Sequence, residues 1–120
     1  FDIYLLMCVL EWLKEQGGVA AIEKVNERKA KILYDILDTS EFYSGVADRD
    51  FRSTMNVSFH LANNNALASE FVAQALENNM YALKGHPVVG GIRASIYNSM
   101  PVEGVQCLAD FMKEFERKNG

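Results

Sequence analysis

Hydrophobic and polar positions alternate along this chain with two distinct periods. Residues 2–16 place Ile3, Leu6, Leu10 and Leu13 on one helical face, while Tyr4, Leu5, Met7 and Val9 make the stretch apolar nearly all round. That spacing predicts a helix. A helix apolar on every side is usually buried on more than one. It is either central to a compact core or packed against something outside these residues. Gly17-Gly18 stops it and turns the chain. A second helix is predicted over 19–38, with Ile22, Val25, Ile32, Leu33, Ile36 and Leu37 as its stripe. Glu23, Lys24, Glu27, Arg28, Lys29 and Lys31 read as its solvated face, with Glu27 and Lys31 paired at i, i+4.

The period then changes. Thr39, Ser40, Ser44, Gly45 and Asp48 are turn chemistry around a short edge strand at Phe42-Tyr43. Met55, Val57, Phe59 and Leu61 alternate with Thr54, Asn56, Ser58 and His60, which predicts a strand covered on one side only. His60 falls on the polar face and reads as a solvated or hydrogen-bonded histidine. Asn63, Asn64 and Asn65 offer caps for a third helix over 65–78, with Leu67, Phe71, Ala75 and Leu76 inward and Asn78-Asn79 closing it. Strands are expected over 80–84 and 92–98. In the latter Arg93, Ser95 and Tyr97 share one face and Ile92, Ala94 and Ile96 the other, so Arg93 points away from the covered side. Pro101 suits the first turn of a last helix. Glu103 stands near its positive end, Lys113, Arg117 and Lys118 near its negative end, and Val105, Leu108, Met112 and Phe115 face inward. The expected fold is α+β: a two-layer sandwich with helices on one face of a small mixed or antiparallel sheet.

Bulk composition narrows the function classes. The 120 residues suffice for one domain with a real core. A net charge of −4 argues against a general nucleic-acid surface. The greasy first ten residues lack the basic start and cleavage site of a signal peptide, and Glu11 ends the run short of a membrane span. A chain that opens on Phe with no leading polar turn reads as part of something longer. Cys8 and Cys107 lie in apolar helical patterns and read as small buried hydrophobes in a reducing compartment. Neither they nor His60 and His86 have a metal-ligand partner at a useful spacing.

The candidate chemistry lies in residues 84–101. Lys84, His86 and Arg93 accompany glycines at 85, 90 and 91 and prolines at 87 and 101. Backbone N–H groups together with a guanidinium make a plausible anion site, since arginine grips a carboxylate with two parallel bonds. The plainer alternative is a hairpin whose glycines serve the turn and whose cations are solvated.

The run Gly90-Gly91-Ile92-Arg93-Ala94-Ser95-Ile96-Tyr97-Asn98, read with Glu103-Gly104-Val105 and Phe111-Met112-Lys113-Glu114-Phe115-Glu116-Arg117, resembles the C-terminal end of the phosphoserine aminotransferases. These are a branch of the class-V, pyridoxal-phosphate-dependent aminotransferases. Glu11-Trp12-Leu13-Lys14 with Gly17-Gly18-Val19, Met55-Asn56-Val57, and Ala82-Leu83-Lys84-Gly85-His86 extend the resemblance over the whole chain.

The resemblance implies that residues 1–120 are the C-terminal small domain of such an enzyme, with 1–16 leading in from a large domain. The parent would be a cytoplasmic homodimer of serine biosynthesis. It would move an amino group between glutamate and 3-phosphohydroxypyruvate, giving O-phosphoserine and 2-oxoglutarate. The family's cofactor lysine lies in the large domain, and its Asn-Thr-Pro-Pro-Thr tract, which helps place the cofactor phosphate, would end just before Phe1. No covalently bound pyridoxal phosphate is therefore expected here, Lys84 is not assigned that role, and these residues alone are expected to be inactive. By position Arg93 matches the arginine that clamps the substrate α-carboxylate, and His86 a residue of the substrate-phosphate pocket. The family usually has arginine next, where this chain has Pro87. That removes a fork of donors and fixes the backbone, so the specificity is altered or another cation such as Lys84 substitutes. Two other readings stand beside this one. One is a free-standing α+β module that binds an anion or a partner without catalysis. The other is a cysteine desulfurase, which the helical placement of Cys8 and Cys107 disfavours.

Overall fold

In the computed structural model, which describes residues 1–61 and 65–120, the helices are α1 (Asp2–Glu15), α2 (Val19–Thr39), α3 (Asn65–Glu77) and α4 (Val102–Asn119). The strands are β1 (Tyr43–Gly45), β2 (Asn56–Leu61), β3 (Lys84–His86) and β4 (Gly90–Ser95), and a 3-10 turn at Arg49–Phe51 precedes β2. The sheet order is β1-β2-β4-β3, with each neighbouring pair antiparallel. The expected α+β two-layer sandwich is the observed fold.

Strand alternation builds the layers. Val57, Phe59 and Leu61 of β2 and Ile92 and Ala94 of β4 are buried, and the residues between them are not. Onto that apolar face pack Leu33, Ile36 and Leu37 of α2, Phe71 and Ala75 of α3, and Val105, Leu108, Met112 and Phe115 of α4. Phe71 is the aromatic centre. Its ring lies 4.9 Å from Phe111, 5.1 Å from Phe115, 6.0 Å from Phe59 and 6.3 Å from Tyr43, each in edge-on geometry. Such pairs add to area burial because a positive ring edge meets a negative face. The Tyr43 hydroxyl donates to the Met112 carbonyl at 2.8 Å, satisfying a buried polar group, and burial pushes its pKa up. At the rim, Arg52 grips Asp38 with two bonds of 2.5 and 2.9 Å and stacks on Tyr34, which ties the segment before β2 to the end of α2.

α1 departs from this packing: none of its residues is buried, and Ile3, Leu6 and Leu10 are 85%, 58% and 55% exposed. The Cα radius of gyration, 15.6 Å, exceeds the roughly 13.6 Å of a compact domain of this length. Of the two alternatives for the apolar helix, the central-core one is ruled out. Its end is well formed, because Gly17 and Gly18 donate to the carbonyls of Lys14 and Leu13 in the Schellman pattern.

Several expectations need correction. Val25 of α2 and Leu76 of α3 are exposed rather than inward. Lys31 pairs with Asp35 at 2.6 Å, one turn after it, rather than with Glu27. Cys8 is half-buried and Cys107 exposed, so neither is a core residue. Residues 80–83 are not strand. Ala82 has φ of 60°, which breaks the extension, and pairing begins at Lys84. Pro101 stands one residue before α4 as its N-cap. Asn79, at φ 60°, closes α3 as expected, with Met80 donating to the Ala75 carbonyl. The capping expectation for Asn63, Asn64 and Asn65 rests on side chains outside the described residues. No helix among the described residues is long and apolar enough to cross a membrane.

Candidate functional site

The face of the sheet turned away from the helices is small and polar. Register places Ser58 opposite Arg93, Asn56 opposite Ser95, and Ser44 opposite His60. The Ser95 hydroxyl donates to Asn56 Oδ1 at 3.1 Å. Beside Arg93, Gly85 and Gly91 face each other across the β3–β4 hairpin, between the Lys84–Ile92 and His86–Gly90 pairs. Glycine is required at 91: its φ is 66°, and a Cβ there would lie 2.5 Å from the Phe59 carbonyl oxygen and 2.7 Å from His60 Nδ1. A Cβ at 85 would collide with the Gly90 carbonyl. The result is a floor of glycine and serine from which Arg93 rises, with the His60 ring at its edge.

Arg93 is half-buried, and its Nε is a buried donor without a hydrogen-bond partner. Its backbone N–H donates to the Leu83 carbonyl at 2.8 Å, so the strand beneath it is fixed. A buried guanidinium nitrogen left unsatisfied is costly, and a carboxylate approaching from the open side would satisfy it. Among the described residues no ion pair is formed by Arg93 or Arg28, whereas Arg49, Arg52 and Arg117 have carboxylate partners.

Lys84 and His86 do not join Arg93. They pair with Ile92 and Gly90, which puts them on the other side of the hairpin from Arg93. With Pro87 they line a cleft of about 490 Å³ against Ala68, Ser69 and Val72 of α3. His86 Nδ1 accepts the Val88 N–H at 3.2 Å, which fixes the tip of the turn. The basic cluster seen in the sequence is therefore two sites on opposite faces. Among the described residues no group of His, Cys, Asp or Glu could hold a metal ion.

Lys29 was expected in solvent, and its side chain is fully buried. Its Nζ donates to the carbonyls of Ile96 at 3.0 Å, Tyr97 at 2.7 Å and Met100 at 3.0 Å. Burial pushes its pKa down from the usual lysine value. One turn earlier, buried Asn26 donates to Asn98 Oδ1 at 2.8 Å. The sequence did carry a signal for this. Ile22, Asn26, Lys29, Leu33 and Ile36 recur at spacings of four and three, so the two polar residues occupy the phase of the inward stripe.

The family model for aminotransferase class-V matches residues 1–108. The chain belongs to the class-V aminotransferases. It is 54% identical over its whole length to phosphoserine aminotransferase of Desulfosudis oleivorans, of which it covers 33%. Among solved structures it is similar to phosphoserine aminotransferase from Bacillus circulans subsp. alkalophilus, with 44% identity and a TM-score of 0.96 over 100% of this chain and 33% of that one. The pyridoxal-phosphate-bound phosphoserine aminotransferase of Trichomonas vaginalis matches with 34% identity and a TM-score of 0.80, over 86% of this chain and 30% of that one. The chain thus spans about a third of the length of these class-V relatives. The resemblance drawn from residues 90–98 and their flanks is the one these comparisons return.

Proposed function

We propose that this chain is the C-terminal small domain of a phosphoserine aminotransferase, in which Arg93 clamps the α-carboxylate shared by glutamate and 3-phosphohydroxypyruvate. The carrying observation is the unpartnered, half-buried guanidinium on the open polar face, in a chain 54% identical to such an enzyme. A carboxylate held by two parallel bonds is fixed in position and orientation, which is what a transamination site asks of its substrate. The exposed apolar faces of α1 support a large domain packed there, with residues 1–16 leading in from it.

Pyridoxal phosphate, when bound to the parent enzyme, supplies the electron sink of transamination. Neither Lys29 nor Lys84 suits its covalent attachment. The Lys29 ammonium is spent on three carbonyls, and Lys84 stands across the hairpin from Arg93. On the family resemblance the Schiff-base lysine belongs to the large domain, and these residues act only on the substrate. His86 is the candidate for the substrate phosphate, with Lys84 beside it as the cation that replaces the arginine absent at Pro87. That cleft and Arg93 lie on opposite faces of the hairpin, which supports a homodimer in which Arg93 serves one site and the Lys84–His86 cleft the site of the second subunit. The parent enzyme on this reading is cytoplasmic and works in serine biosynthesis.

The test is Arg93→Ala in the full-length enzyme, assayed with glutamate and with 3-phosphohydroxypyruvate. Loss of one partner of a charged, hydrogen-bonded pair costs about 2–5 kcal/mol, so kcat/KM should fall at least thirtyfold for both substrates. A fall for only one of them would remove the clamp role.

A further inference from the structure

We propose that Lys29 is a positioning residue for Arg93, acting through the connection between β4 and α4; this rests on the carboxylate-clamp reading above. Asn26 and Lys29 are the buried polar side chains among the described residues. They sit one turn apart on α2, and both reach the same segment, residues 96–100. A cation buried without a carboxylate is a poor device for stability alone, where a methionine or leucine of similar volume would pack without the desolvation cost. What the ammonium supplies is geometry. It has three donors, and all three are used on three carbonyls that converge on one point. Those carbonyls would otherwise turn their negative ends toward each other at a largely buried point.

The segment so fixed begins immediately after the strand that carries Arg93. The Ile96 N–H donates to the carbonyl of Met55, the residue just before β2, at 2.9 Å, and its own carbonyl accepts from Lys29. Tyr97 lies two residues beyond the end of β4, and its carbonyl makes the shortest of the three bonds, 2.7 Å. Lys29 therefore clamps the end of β4 from beneath while the guanidinium stands on the opposite face. Releasing the clamp lets the strand end shift, and an arginine that must offer two parallel bonds loses alignment with small displacements.

The experiment uses the full-length enzyme in four forms: wild type, Lys29→Met, Arg93→Ala and the double variant. kcat and KM for glutamate are measured at a temperature where circular dichroism shows all four folded. Lys29→Met should raise KM at least tenfold in the wild-type background and change kcat/KM less than twofold once Arg93 is absent. The same fold-loss in both backgrounds, or no loss in the first, would overturn the proposal, because a purely structural role is blind to Arg93. If Lys29→Met does not fold, Lys29→Arg takes its place with the same criterion. If the wild-type enzyme fails to transaminate glutamate, the function assigned above falls by itself. Amide hydrogen exchange at residues 93–98 then decides on Lys29: at least tenfold faster exchange in the variant sustains the clamp, and unchanged exchange removes it.

Discussion

Ser58 and Phe59 are neighbours in β2 and stand on opposite faces of one sheet. On the Phe59 side, aromatic rings from strand and helix meet edge to face around Phe71, and the Tyr43 hydroxyl spends its hydrogen bond on the Met112 carbonyl. On the Ser58 side, serine, asparagine and glycine leave Arg93 with a donor unused. The covered face has nearly all its contacts completed, the Asn26 Oδ1 excepted, and makes the fold stable. The open face has contacts withheld and is therefore free to bind. Two cations show the same division. Lys29 is wholly buried and fully bonded, while Arg93 is half-buried and waiting.

The largest effect that could break this contrast is on stability. Phe71→Ala should destabilise the intact protein by about 3–5 kcal/mol in thermal or denaturant unfolding, since it empties the centre of the ring cluster. The Arg93→Ala variant already proposed should move the same measurement by less than about 1 kcal/mol, because it removes no completed contact. Similar losses for both would mean that the open face is structural too.

A smaller effect sharpens the split between the two basic groups. Pro87→Arg in the full-length enzyme should lower KM for 3-phosphohydroxypyruvate by about tenfold through a charge-assisted bond, and leave KM for glutamate unchanged. An equal effect on both substrates would place position 87 at the carboxylate rather than the phosphate.

The smallest effect lies outside both faces. Hydrogen bonds from Arg117 and then Lys118 hold the exposed Glu114 carboxyl down at about 2. A folded-state value below the unfolded one gives stability that is present above the ordinary carboxylate range and lost as pH falls. The difference in Tm between wild type and Glu114→Gln should therefore be small near neutrality and vanish between about pH 4.5 and 2. A difference that grew on acidification would reverse the assignment.

Much of this architecture was legible beforehand. The alternation around Phe59 predicted a one-sided strand, and the phase of Ile92, Arg93 and Ala94 put the arginine on the uncovered face, as found. One reading failed because it took polarity in sequence for solvent in space. Lys29 lies in a run of charged residues, and nothing local distinguishes it from Lys31 except helical phase. The 80–84 strand failed on a backbone detail, the positive φ of Ala82, that no residue preference announces.

Period and motif are local properties of a chain, so the four helices, strands β2 and β4, most of the inward faces and the kinship of residues 90–98 could be read from the sequence. The tertiary structure alone decided which cations share a site. Lys29 meets the Ile96 carbonyl across 67 residues of chain, and its burial exists only once α2 lies beneath the end of β4. Lys84, His86 and Arg93, close in sequence, are parted by the pleat of one hairpin, whose successive side chains must point to opposite faces.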